Sequence, residues 1–188
     1  MTTWKDLESA YGQPERTDFT IPLRETEFAA LLASTRQVRF QDATMLIFNP
    51  KGQLACIRKH GYPEGIFRPP SGLVNKGESI EQAAHREALE ETGLKIELER
   101  YLLRASVYFS SDQSSLLWTT HVFRTRLVSG ILQTQDPQEI AEVDWLDLEQ
   151  LRALSPRMAS SGRGGLLYRA QLMDVLLEHP GINGRKPS

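Results

Sequence analysis

Glutamates fall at positions 78, 87, 90 and 91 of this 188-residue chain. On a helix, positions 87, 90 and 91 are related as i, i+3 and i+4, so Glu87, Glu90 and Glu91 project from one face within a single turn. Solvated acidic faces normally carry Lys or Arg four residues after Glu, where the pair is mildly stabilising. Here the residue four after Glu87 is Glu91, and the nearby base is Arg86, four before Glu90. Like charges at this spacing repel by about a few tenths of a kcal/mol. Two readings stay open on spacing alone: a solvated helix face, or a carboxylate cluster that needs a compensating cation. Magnesium would suit the second, because it prefers hard oxygen ligands, keeps several waters and often bridges carboxylates to substrate phosphates.

The elements needed to present these carboxylates are written around them. Ser79 can cap a helix, with Gln82 three residues later completing a capping box. Gly93 stands where a left-handed glycine would end it. Between them Ile80, Ala83, Ala84 and Ala88 offer a small apolar face for docking.

From Gly72 to Leu94 the chain reads GLVNKGESIEQAAHREALEETGL. This resembles the Nudix box, G-x5-E-x7-R-E-U-x-E-E-x-G-U with U apolar, at every specified position. Gly72, Glu78, Arg86, Glu87, Ala88, Glu90, Glu91, Gly93 and Leu94 fill it in order. Seven of these positions demand one residue type, so chance agreement per window is on the order of 10⁻⁹ at typical frequencies. Phe67 to Gly72 also resembles the family's aromatic-Pro-Gly approach, with Ser71-Gly72 where Gly-Gly is common.

The resemblance implies an α/β fold: an α/β/α sandwich with a mixed sheet and a catalytic loop-helix-loop. It implies magnesium as cofactor, with manganese able to replace it. Glu87, Glu90 and Glu91 are then the main metal ligands, with Glu78 supporting the site and Arg86 orienting a box glutamate. Gly72 would let the backbone fold tightly around substrate and metal. The implied reaction is attack of metal-activated water on a phosphoanhydride of a nucleoside diphosphate linked to another moiety. A general base outside the helix is expected at Glu139, with Glu142 as its neighbour in the same polar stretch. Arg58 or Lys59 is expected to face the substrate. A ligand-sensing module on the same fold would have lost box glutamates. An isoprenoid diphosphate isomerase would carry a divergent box and a cysteine placed for proton transfer, whereas Cys56 lies in an apolar, strand-like run.

The rest of the chain supplies the scaffold. Strands are expected at 17–21, 43–48, 53–60 and 66–68. Two long ones follow at 95–109 and 115–128, and a last one at 140–146. Asn49-Pro50-Lys51-Gly52 is strong turn chemistry and makes 43–60 a hairpin. Helices are expected at 25–33, from Asp147 to about Leu154, and at 166–178. Ser155 to Gly165 is rich in Gly and Ser and reads as mobile. Residues 1–40 read as an N-terminal extension and candidate dimer interface, 41–180 as the main domain and 181–188 as a flexible tail. A formal net charge of −2 gives no footprint for long nucleic acid. No stretch approaches membrane-spanning length and no signal peptide is visible, so a cytoplasmic protein with a small nucleotide-type substrate is expected.

Overall fold

In the computed structural model, residues 4–35 and 40–182 are described. The hairpin forms as its turn chemistry requires. Asn49 Oδ1 accepts from the amides of Lys51 and Gln53 at 2.9 and 3.0 Å, closing β2 (Gln41–Phe48) onto β3 (Leu54–Lys59). β2 is buried almost throughout because both its faces are covered. Ala43, Met45 and Ile47 point to one side, and Leu46 to the other.

That strand is near the middle of a seven-stranded mixed sheet. The order is β1 (Glu15–Pro22), β5 (Leu94–Ser110), β6 (Ser115–Gly130), β2, β3 and β7 (Ile140–Leu146), with β4 (Ser71–Leu73) pairing with β2. β1 runs parallel to β5 and β2 parallel to β6; the remaining pairs are antiparallel. One face is covered by α1 (Trp4–Tyr11) and α3 (Ile80–Thr92), which bury Leu7, Ile80, Ala83, Ala84 and Ala88 against Met45, Ile47 and Phe123. The other face carries α2 (Glu25–Ser34), α4 (Leu148–Ala159) and α5 (Gly164–Glu178), with Leu151, Met158, Leu166 and Met173 over Leu46, Cys56 and Val107. The fold is therefore the expected α/β/α sandwich. Cys56 is wholly buried within it, and burial pushes its thiol pKa up, as fits a packing residue. Among the described residues, no helix is long and apolar enough to cross a membrane.

Three local expectations change. Residues 66–68 contribute a single bridge, Ile57 to Arg68, and the strand proper begins after the prolines at Ser71. Prolines have no N–H to give a ladder, so pairing resumes where amides return. The segment 155–165 is not a continuous loop: α4 runs to Ala159 because Leu154 and Met158 continue its buried stripe, and only a short turn separates it from α5. The N-terminal residues add a helix, α1, that was not foreseen, and β1 extends three residues beyond expectation (Glu15, Arg16 and Pro22).

Candidate active site

α3 begins and ends on its sequence signals. Ser79 Oγ accepts from the Gln82 amide at 3.1 Å, and Gln82 Oε1 accepts from the Ser79 amide at 2.8 Å. Gly93 closes the helix at φ +70°, where a Cβ would strike the carbonyl oxygens of Ile131 and Gln133. The same end anchors the loop that follows β6. The Glu90 carbonyl accepts from the amides of Gln135 and Asp136, and the Thr92 carbonyl from Gln133. This docking carries Glu139 to the glutamates. Its own carbonyl is fixed by the amide of His60 at 3.1 Å.

Arg86 is the hub of the cluster. Its Nε and Nη2 grip Glu78 in a fork at 2.8 and 2.9 Å, and Nη2 also donates to the Leu73 carbonyl at 2.9 Å. Its Nη1 donates to Glu87 at 2.6 Å and to Glu90 at 2.9 Å. Burial works against the charge on Glu78, but the Arg86 fork and the Asn75 amide outweigh it and hold this carboxyl below its usual range. Glu87 behaves in the opposite way. Burial, with Glu91 and Glu90 adding repulsion, outweighs Arg86 and lifts it to about 7. Glu90 remains half-exposed, its side chain 50% accessible.

Glu91 points inward. Its carboxylate accepts from the Ser71 amide at 2.7 Å and lies 3.5 Å from Arg68 Nη2 and 3.6 Å from Lys59 Nζ. Burial pushes its pKa up despite both cations. Lys59 also pairs with Glu139, and so links that half-exposed carboxylate to Glu91. Gly72 lies under Glu87: a Cβ there would overlap the Glu87 carboxyl carbon and both its oxygens.

The structure thus brings Glu78, Arg86, Glu87, Glu90 and Gly72 into one group, and Glu91, Lys59 and Glu139 into a second that adjoins it. Arg58 is not brought to either, since its Nε pairs with Glu142 at 2.8 Å. Of the adjacent cations, Lys59 is the one among the carboxylates. Arg157 and Arg163 donate to the carbonyls of Glu64 and Gly61 and clasp the loop after β3. Arg68 was missed by the sequence reading. Its available signal was a cation inside the otherwise apolar approach Ile66–Pro70.

Among the described residues, no three acidic, histidine or thiol side chains are grouped so as to hold one metal ion as they stand. The donor set still suits a hard divalent cation. It consists of carboxylates, and at Glu87 burial, with repulsion from Glu91 and Glu90, outweighs the Arg86 contact, so a bound cation would relieve that site. Taking up a cation there requires Glu87 or Glu90 to exchange its Arg86 contact.

A mixed sheet between helices, with a glutamate helix docked on one face, defines a class of hydrolases that open pyrophosphate linkages. Residues 38–167 match the NUDIX domain, and the chain belongs to the Nudix hydrolase family as a pyrophosphohydrolase. It is 28% identical over 146 residues to the oxidized purine nucleoside triphosphate hydrolase of Danio rerio, covering 72% of this chain and 89% of that protein. It is 28% identical over 116 residues to the NAD-capped RNA hydrolase NudC of Chromobacterium violaceum, covering 62% of this chain and 41% of that one. The chain therefore spans most of the zebrafish relative and less than half of the bacterial one. The crystal structure of a UDP-X diphosphatase matches with a TM-score of 0.51 at 25% identity, over 78% of this chain and 70% of the other.

Proposed function

We propose that this pyrophosphohydrolase is magnesium-dependent and cuts a nucleoside diphosphate linked to a second moiety. The observation that carries the reading is the junction of the two carboxylate groups. Glu78, Glu87 and Glu90 converge on Arg86, while Lys59 ties Glu139 to Glu91 beside them. The likeness to a UDP-X diphosphatase covers most of both chains and favours a nucleoside-diphosphate compound. The net charge of −2 favours a small substrate over a long nucleic acid. The zebrafish relative favours a second reading, a nucleoside triphosphate.

Glu87, Glu90 and Glu91 would hold magnesium or manganese, and Glu78 steadies them through Arg86. When bound, the cation offsets phosphate charge and lowers the pKa of the attacking water. Glu139 accepts the proton of that water as its oxygen bonds to phosphorus. The bridging P–O bond breaks, and the leaving phosphate departs with the electron pair. Lys59 holds Glu139 within reach of Glu91, and the half-exposed position of Glu139 keeps it open to solvent water. Gly72 leaves the space that the Glu87 carboxylate occupies.

Glu139→Gln should lower kcat by about 10²-fold, the lower end for losing a general base, with KM nearly unchanged. Steady-state kinetics check this, and an unaltered kcat would return the role to Glu142 or to the box.

The substrate reading is tested by incubating the protein with magnesium and ADP-ribose, sugar nucleotides, dinucleoside polyphosphates, NADH, CoA or (d)NTPs. Products are resolved by chromatography, with EDTA as control. Metal-dependent cleavage of a diphosphate-linked compound supports the reading. Cleavage of triphosphates alone selects the second. No cleavage, with a ligand raising the melting temperature, would make the chain a sensing module.

A further inference from the structure

Behind Glu91, on the side away from Arg86, lies a buried bracket that the reaction as derived does not use. Arg68 is 2% exposed, as is Thr44 on β2. Arg68 Nη1 donates to the Pro69 carbonyl at 2.8 Å and to Ser71 Oγ at 2.9 Å, and Nη2 faces Glu91 at 3.5 Å. Ser71 is also the residue whose amide holds Glu91 at 2.7 Å. One guanidinium therefore braces both the glutamate and the backbone turn that positions it. Its Nε has no hydrogen-bond partner in the protein, nor has the Thr44 hydroxyl.

Both residues line the same cavity, which is completed by Pro69, Arg169, Leu172 and Met173 under α5. A water-sized sphere has about 10 Å³ of travel inside it, close to the least that holds one water molecule. A buried N–H and a buried hydroxyl without partners, on two residues that line a space of that size, call for a partner that can both accept and donate. Charge decides its nature. Arg68 is offset by Glu91, and Arg169 pairs with Asp42 at 3.3 Å, so the two cations beside the cavity each have an anion. A neutral occupant fits this balance, and a small anion would upset it.

We propose that Arg68 is a positioning residue for Glu91, and that one ordered water, shared by Arg68 Nε and Thr44 Oγ1, completes its bracing. The water accepts from the Arg68 Nε–H and exchanges a hydrogen bond with the Thr44 hydroxyl. It locks the guanidinium at its third nitrogen, so that the Nη2 edge stays turned to Glu91. The positioning role rests on the metal-site reading of Glu91 given above, while the water site stands on the cavity and its two unpartnered atoms.

A crystal structure of the wild-type protein, at a resolution that shows ordered waters elsewhere in the core, should place a peak within hydrogen-bond distance of both atoms. An empty cavity would overturn the water site. Thr44→Val keeps the shape and removes the hydroxyl. It should lose the peak and lower kcat several-fold at constant KM, and Thr44→Ser should restore both. Arg68→Lys keeps the charge and loses the fork, and should lower kcat by about 10-fold at constant KM, the lower end for a residue that orients a metal ligand. Wild-type kcat in Arg68→Lys overturns the positioning role, and wild-type kcat in a folded Thr44→Val overturns the part of the water in it. Turnover in Glu91→Gln separates the two readings: if it stays at the wild-type level, the metal-site reading fails and takes the positioning role with it. A wild-type kcat in Arg68→Lys beside a dead Glu91→Gln overturns the positioning role alone.

Discussion

Glu87→Gln should lower kcat by about 10²-fold or more, the range for losing one preorganised electrostatic group, and should at the same time leave the metal-free protein more stable at pH 8. Both effects come from one carboxylate. In the fold, burial and the neighbouring charges of Glu91 and Glu90 raise Glu87 from 4.5 to about 7. A carboxyl raised by folding is neutral in both states below pH 4.5 and contributes no penalty there. Between 4.5 and about 7 the unfolded chain gives up this proton while the folded site keeps it, so stability is lost across that window and the loss is complete above about 7. The full loss is at most about 3 kcal/mol. Glutamine has the same shape, can still accept from Arg86 Nη1, and removes the penalty. Wild type alone would blur the trend, because burial pushes His121 down to about 4 and so removes stability as pH falls below 6.5. Subtracting the two proteins cancels His121. In EDTA the variant should melt above wild type at pH 8, and the difference should vanish near pH 4.5. A variant that melts lower at pH 8 would make Glu87 a stabilising ion-pair partner of Arg86 and nothing more. The trade expected here is a residue kept for chemistry at the expense of stability.

The site was legible in the sequence wherever the signal was local. Helix α3 carries its caps, its alanine face and its glutamates within one short stretch, and its caps act through neighbours no more than four residues away. The hairpin was legible for the same reason, since Asn49 closes its own turn. What could not be read was long-range. Arg58 and Lys59 are adjacent cations on one strand, and only the pairing of β3 with β7 sends Arg58 to Glu142 and leaves Lys59 for Glu91 and Glu139. A bulge falls between these two residues, so strict alternation could not have assigned them either. Composition misled at 155–165, where Gly and Ser suggested mobility and the buried faces of Leu154 and Met158 impose a helix. Arg68 stood out only as a cation in an apolar stretch, because the carboxylate that pairs with it is distant in sequence. Its partners Glu91 and Ser71 are 23 and 3 residues away.

Gly72→Ala should inactivate the enzyme about as thoroughly as Glu87→Gln while leaving the backbone intact. Gly72 pairs with Ala43 in an ordinary antiparallel ladder, without the positive φ that would itself exclude a side chain. Alanine can therefore adopt its backbone conformation. The nearest obstacle is the Glu87 carboxyl group, which fills the space where the methyl must go. Packed interiors do not absorb such an overlap, so the carboxylate has to turn away and give up its Arg86 contact. Because both substitutions then act on the same atoms, their effects on kcat should not add. The double variant Gly72→Ala/Glu87→Gln should be scarcely slower than either single one, whereas independent sites would multiply. Glutamine is as large as glutamate, so the overlap persists in the double variant, and its stability should fall with that of Gly72→Ala. Kinetics and melts of the four proteins close the cycle. A double variant whose loss equals the product of the single losses would show that Gly72 serves the site through something other than Glu87, such as direct approach of its backbone to the substrate.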